Sequence, residues 1–262
     1  MKKKLIVLLL LFVCLCIFFV YIAYDYYTPP SPKQPYHISN HEDTLRIAYI
    51  GDSWAFMHKD HRCRISQLLE DKLHQPVRVH SYGICGLTSK DIYESMFDNS
   101  NFKHFLQKRK YAYCFVSVGI NDTYKKMSIN YYKKSINGII QFMLDNNIFP
   151  IILEIPDYDI MKSFDKQTYS KKLLRKLSML VNNTPLDCKQ IFRNALNELI
   201  QEKKYQNKVR VIRYSSWNSN YHDDLEKLYK GDGLHLNELG YEKLDSVIID
   251  QIITIYNFYN IQ

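Results

Sequence analysis

Leu45-Arg46-Ile47-Ala48-Tyr49-Ile50-Gly51-Asp52-Ser53-Trp54 is an apolar, β-branched run that breaks into Gly-Asp-Ser. Its first six residues predict a strand, and the glycine that follows predicts a tight turn at the strand's carboxyl end. Open α/β sheets bind their ligands beyond that end. Ser53 is therefore a candidate nucleophile, and the plainer reading is an ordinary turn serine. Which holds depends on whether the chain also supplies a base, a group to orient it and donors for an oxyanion.

Downstream, Ile65, Leu68, Leu69 and Leu73 recur at helical spacing. Pro76 closes that helix, and residues 77–82 alternate as a strand that runs into Gly83-Ile84-Cys85-Gly86-Leu87-Thr88. Thr88 is a candidate cap for the helix after it. Residues 111–118 read as a buried strand ending in Gly119-Ile120-Asn121-Asp122. Ser128 is expected to cap a helix over 129–146, followed by a strand over 149–155. Residues 156–185 read as an insertion over the sheet edge, helical around 171–180. A helix over 186–204, a strand over 209–214 and a short helix over 225–229 precede Gly231-Asp232-Gly233-Leu234-His235-Leu236, and Asn237 is positioned to cap the final helix. Strand and helix alternate five times, which predicts a five-stranded parallel sheet with helices on both faces. The glycine-bearing loops should gather on one edge.

The 262 residues are 46% hydrophobic and 24% charged, a balance that specifies a folded core. The net charge of +8 arises from interleaved residues, and the one pure basic block is Lys2-Lys3-Lys4. With no phosphate-cradling loop, zinc-finger spacing or RNA-binding aromatic motif, nucleic acid is not expected as a partner. Residues 5–24 carry no charge, and an uncharged helix of that length would reach about 30 Å. They predict an N-terminal signal anchor over 1–24, a single-pass transmembrane helix with the rest of the chain on the extracytoplasmic side. Pro29, Pro30, Pro32 and Pro35 mark residues 25–43 as an extended tether. The remaining domain then occupies 44–262. Cys63, Cys85, Cys114 and Cys188 allow three disulfide connectivities or four free thiols. No metal-ligand spacing appears, and neither metal nor cofactor is expected.

Among nine histidines, His235 is singled out by Asp232 three residues before it in a glycine-flanked turn. A carboxylate so placed can fix one imidazole nitrogen and leave the other to face Ser53. The plainer reading is a surface aspartate and a helix-start histidine. His58, His61 and His80 have no such partner at short range. Asn121, at a strand end, can donate its amide to an oxyanion, although asparagine also fills tight turns for its own reasons. Gly86 can offer an N–H that no side chain shields. With the Ser53 N–H these would make three oxyanion donors.

Taken together and in this order, the blocks Gly51-Asp52-Ser53, Gly86 within its loop, Gly119-Ile120-Asn121-Asp122 and Asp232-Gly233-Leu234-His235 closely resemble those of the SGNH (GDSL-type) hydrolase family. The resemblance spans residues 45 to about 258. It departs at Trp54-Ala55-Phe56, where a leucine is frequent, and at Ile120, where a second glycine is common. It implies a flavodoxin-like three-layer αβα sandwich. It also implies roles of nucleophile for Ser53, base for His235, orienter for Asp232 and oxyanion donors for Ser53, Gly86 and Asn121.

The expected activity is cleavage of an ester, of acetyl or another short acyl group, on an envelope carbohydrate. The alternative is an O-acyltransferase using the same triad on an envelope polysaccharide. A lipase and a non-catalytic binding module on the same fold are further readings. Retention of both Ser53 and His235 speaks against the last.

Overall fold

The computed structural model describes residues 2–27, 44–97, 101–218 and 220–260. Among these, five strands form one parallel sheet: β1 (Leu45–Gly51), β2 (Val77–Gly83), β3 (Tyr113–Ser117), β4 (Phe149–Leu153) and β5 (Arg210–Ile212). Their order is β2-β1-β3-β4-β5. The register aligns Gly51 with both Gly83 and Ser117. Three carboxyl ends therefore finish level, and the loops beyond them share one edge.

The direction of travel fixes the layers. The chain moves outward from β1 to β2 through α2 (Ser53–His58) and α3 (Arg62–Leu73). It then returns across β1 to β3 through α4 (Ser89–Ser95) and α5 (Asn101–Gln107). Two right-handed crossovers in opposite directions place α3 and α4 on opposite faces. Next come α6 (Ile120–Lys125) and α7 (Ile129–Asp145), then α8 (Ile160–Asp165), α9 (Tyr169–Asn182) and α10 (Lys189–Ile200). Of these, α7 packs against α4 and α10, whereas α12 (Glu238–Asn260), reached through α11 (Tyr221–Leu228), packs against α3. Every residue of β3 is buried, as a strand covered on both faces requires. The reversal of strand order between β1 and β3 is the switch point at which such sheets open a crevice.

Local chemistry sets the element ends. Thr88 and Asp91 form a reciprocal capping box that starts α4. The Ser128 hydroxyl accepts from Tyr131 N at the start of α7, and the Asn237 side chain accepts from Gly240 N at the start of α12. The insertion over 156–185 holds two helices, α8 and α9.

One expectation is corrected. Among the described residues, no helix is long and apolar enough to cross a membrane. Helix α1 (Lys2–Tyr27), which holds the expected span, is present but does not meet that condition. The transmembrane helix of residues 5–24, the membrane as a partner and the single-pass extracytoplasmic placement are withdrawn together. Of the expected tether, residues 28–43 lie outside the described residues. The cysteines are free thiols, with Cys63 and Cys85 exposed and Cys114 and Cys188 buried.

Candidate active site

Ser53 is the first residue of α2, directly past β1. Asp52 caps this helix, accepting from Trp54 N at 3.0 Å. The turn is tight because Gly83 lies beneath it: a Cβ there would overlap Phe56 N and come within 2.5 Å of Asp52 O. The Ser53 N–H falls in the first turn of α2, where amides have no intrahelical acceptor.

The second half of the site comes from the far end of the chain. Ser53 Oγ lies 2.9 Å from His235 Nε2, and His235 Nδ1 lies 2.6 Å from Asp232 Oδ2. Asp232 also accepts from the backbone N–H groups of Leu234 (2.9 Å) and His235 (3.0 Å). Burial raises the Asp232 carboxyl, but the bonds from the His235 ring and from the two backbone amides outweigh it, so the group sits below the usual carboxylate range. The loop is closed by an antiparallel bridge between Tyr229 and Leu236 and by Lys230 N donating to His235 O at 2.7 Å. Tyr221 braces its middle, donating its hydroxyl to Gly233 O at 2.6 Å and accepting from Asp159 N at 3.0 Å.

Asn121 lies in the first turn of α6, just past β3. Its amide nitrogen donates to Leu87 O at 2.9 Å and, at 3.4 Å, to Asp52 Oδ2. The second bond is long and leaves one hydrogen available for redirection. Gly86 is exposed in the loop after β2, at φ +83° with open space where a Cβ would be. That loop is tied to β1 by Ile84 N donating to Gly51 O at 3.1 Å. The structure thus joins Ser53, His235 and Asp232 directly, links Asn121 to the same turn through Asp52, and sets Gly86 in the neighbouring loop.

Sequence reading missed several supporting groups. Asp52 is wholly buried and its carboxyl is pushed up to about 7, first by burial and further by the Asp122 charge, against the Trp54 N–H. Asp122 is pushed up to about 6 by burial, while holding Ser89 N and Ser89 Oγ at 2.9 and 2.6 Å. A cap aspartate immediately before a helix-start serine was the available signal for Asp52. His58 is a buried residue paired with Asp245 at 2.7 Å, and Arg64 holds the same carboxylate at 2.6 Å. That partner is 187 positions away, beyond any local pattern. His80 is part-buried, and burial first, then four arginines, push it down to about 4.

A cavity of about 780 Å³ opens at the amino-terminal edge between Leu45, Tyr113 and Phe149. It lies across the sheet from Ser53, so the chemistry is not there. A cavity of about 490 Å³, lined by Asp157, Asp159, Tyr221 and His222, flanks the His235 loop. Among the described residues, no group of three or more His, Cys, Asp or Glu could hold a metal ion.

Comparison with known proteins gives a consistent picture. The family model described as "GDSL-like Lipase/Acylhydrolase family" matches residues 49–243. No curated protein sequence matches the chain. Among solved structures, a protein from Streptococcus pneumonia described as a candidate platelet activating factor is 20% identical. It covers 79% of this chain and 84% of its own, with a TM-score of 0.54. A candidate lipolytic protein of the G-D-S-L family from Desulfitobacterium hafniense DCB-2 is 17% identical, over 78% and 99%, with a TM-score of 0.53. An acetyl xylan esterase is 16% identical, over 80% and 98%, with a TM-score of 0.51. At these identities the likeness is one of fold.

Proposed function

Because the chain belongs to the GDSL-like lipase/acylhydrolase family, an SGNH-type family of carboxylic ester hydrolases, we propose that Ser53, His235 and Asp232 carry its chemistry. The observation that supports these roles is the unbroken hydrogen-bond chain from Ser53 Oγ through the His235 ring to Asp232.

In this reading His235 Nε2 takes the Ser53 proton as Oγ attacks the ester carbonyl. The carbonyl π pair moves onto oxygen, where the N–H groups of Ser53 and Gly86 and the Asn121 amide receive it. Asp232 holds the ring in one tautomer and stabilises the imidazolium. The C–O bond breaks, His235 protonates the departing alkoxide, and an acyl-Ser53 ester remains. Water then attacks that ester, giving its proton to His235. Collapse of the second intermediate returns the proton to Ser53 Oγ and releases the acid.

The proposed substrate is a short-chain ester, acetyl on a carbohydrate. Support comes from the fold's occurrence in an acetyl xylan esterase. The envelope setting rested on the membrane anchor and goes with it. The test is hydrolysis of p-nitrophenyl esters of graded length together with acetylated sugars. Short acyl chains should be preferred and Ser53→Ala should be inactive. Unchanged turnover by Ser53→Ala would sink the assignment.

A further inference from the structure

We infer that a cavity of about 230 Å³ between α6 and α9 binds an oxyanion, a carboxylate or phosphate group carried by the substrate. The inference rests on the ester-hydrolase reading only in assigning that anion to the substrate.

Arg175, on α9, lines this cavity and is 4% exposed. Its Nε, Nη1 and Nη2 are all buried, and none has a hydrogen-bond partner among the described residues. A guanidinium presents five donors in a fixed fork and stays charged. Its faces are occupied, since its carbon lies 4.3 Å from the Tyr124 ring centroid and 5.5 Å from that of Phe164. Stacking leaves the edge donors unused. Tyr158, Tyr124 and Cys188 act on its charge, and none is a carboxylate. Buried polar groups are nearly always paired, so three orphaned nitrogens on one buried cation ask for a partner.

The surroundings specify the sign of that partner. The charged side chains lining the cavity, Lys125, Lys171 and Arg175, are all cationic. Buried Lys126 feels the Arg175 charge, while the Asp187 carboxylate acts on Lys126 with the opposite sign. Gln167 spans the site, donating its amide to the Tyr124 hydroxyl, while its own Oε1 is buried without a partner. Planar, two-oxygen anions match a guanidinium fork bidentately.

Position ties the cavity to the reaction. Tyr124 follows Asn121 by three residues on α6, and residues so spaced are surface neighbours about 5–6 Å apart. An anion held at the free edge of Arg175, beside Tyr124, would sit about one helical turn from the proposed oxyanion donor. The insertion over 156–185, which supplies Gln167, Lys171 and Arg175, thereby gains a role in choosing substrate.

The test uses the full chain carrying Ser53→Ala, titrated with inorganic phosphate and, separately, with glucuronate. Wild-type residues at the cavity should bind one or both. Arg175→Gln and Lys171→Ala should each weaken that binding about tenfold, with Arg175→Lys intermediate. Lys171 is exposed, so Lys171→Ala guards against loss of fold at Arg175, and its unfolding transition without anion should match that of the parent. With Ser53 restored, acetylated glucuronate should be hydrolysed in preference to acetylated glucose, and Lys171→Ala should erase the preference. Absence of anion binding, or equal binding by the parent, Arg175→Gln and Lys171→Ala, would overturn the inference. Failure of wild type on every ester would instead overturn the hydrolase reading, with anion titration still reporting on the cavity.

Discussion

Ser53 and His235 are 182 positions apart and meet at 2.9 Å. In the proposed roles, each side chain around them has a measurable share. Ser53→Ala should lower kcat by about 10⁴-fold or more on p-nitrophenyl acetate, because the nucleophile and base act as a unit. Asp232→Asn should cost a similar order, since an amide cannot hold the ring in the required tautomer. Asn121→Ala should lower kcat by ~10²–10³, as expected for one oxyanion donor. That substitution also frees Leu87 O, which Asn121 holds at 2.9 Å. A rise in KM accompanying the kcat loss would report the loosened loop. An Asn121→Ala enzyme with wild-type kcat would remove it from the oxyanion site.

At the scale of elements, α2 can start where it does because Gly83 has no side chain. Gly83→Ala would push a Cβ into Phe56 N and Asp52 O. Overpacking of this kind costs about 1–3 kcal/mol, and here the strain falls on the turn that carries Ser53. Expected outcomes are a lower unfolding midpoint in denaturant titration and a kcat deficit larger than the stability loss explains. Full activity at normal stability would show that α2 tolerates the shift.

Elements also show what the chain made legible. The strands were readable because β-branched runs such as Leu45 to Ile50 lie between glycine and proline breaks. Caps at Thr88, Ser128 and Asn237 were readable because their side chains act within four residues. Helix α2 was not, because Ser53-Trp54-Ala55-Phe56-Met57-His58 is too short to show a period. Helix α11 starts earlier than its apolar residues suggest, because Asn220 caps it by accepting from His222 N. The site's blocks stood out by spacing and order. The buried states of Asp52 and Asp122, the His58–Asp245 pair and the unpaired Arg175 depend on contacts across the fold, which no local pattern encodes.

At the scale of the whole molecule, the level carboxyl ends of β1, β2 and β3 bring the Ser53, Gly86 and Asn121 loops to one edge. Two wholly buried carboxyls lie beneath that edge, raised from an ordinary 3.8 to about 7 at Asp52 and about 6 at Asp122. The folded protein therefore holds protons there that the unfolded chain has already released. Their stabilisation is fully present below about pH 4 and is lost as pH rises through 6 and 7. Asp232 has the opposite sign: its depressed carboxyl contributes above the unfolded value and loses that contribution as pH falls through the folded one. It is partly exposed, so its share is smaller. Denaturant stability should thus fall between pH 4.5 and 7, within about that range, and Asp52→Asn, which retains a capping oxygen, should flatten the fall. An identical pH dependence in Asp52→Asn would contradict the proton held at Asp52.

The central claim is that Ser53, activated by His235, is the residue that becomes acylated. Its most direct test is covalent trapping with a fluorophosphonate, followed by mass spectrometry of the digested protein. The account predicts a single adduct on the peptide containing Ser53, slowed severely in His235→Ala and absent in Ser53→Ala. An adduct on another residue at the same rate in all three proteins would contradict it.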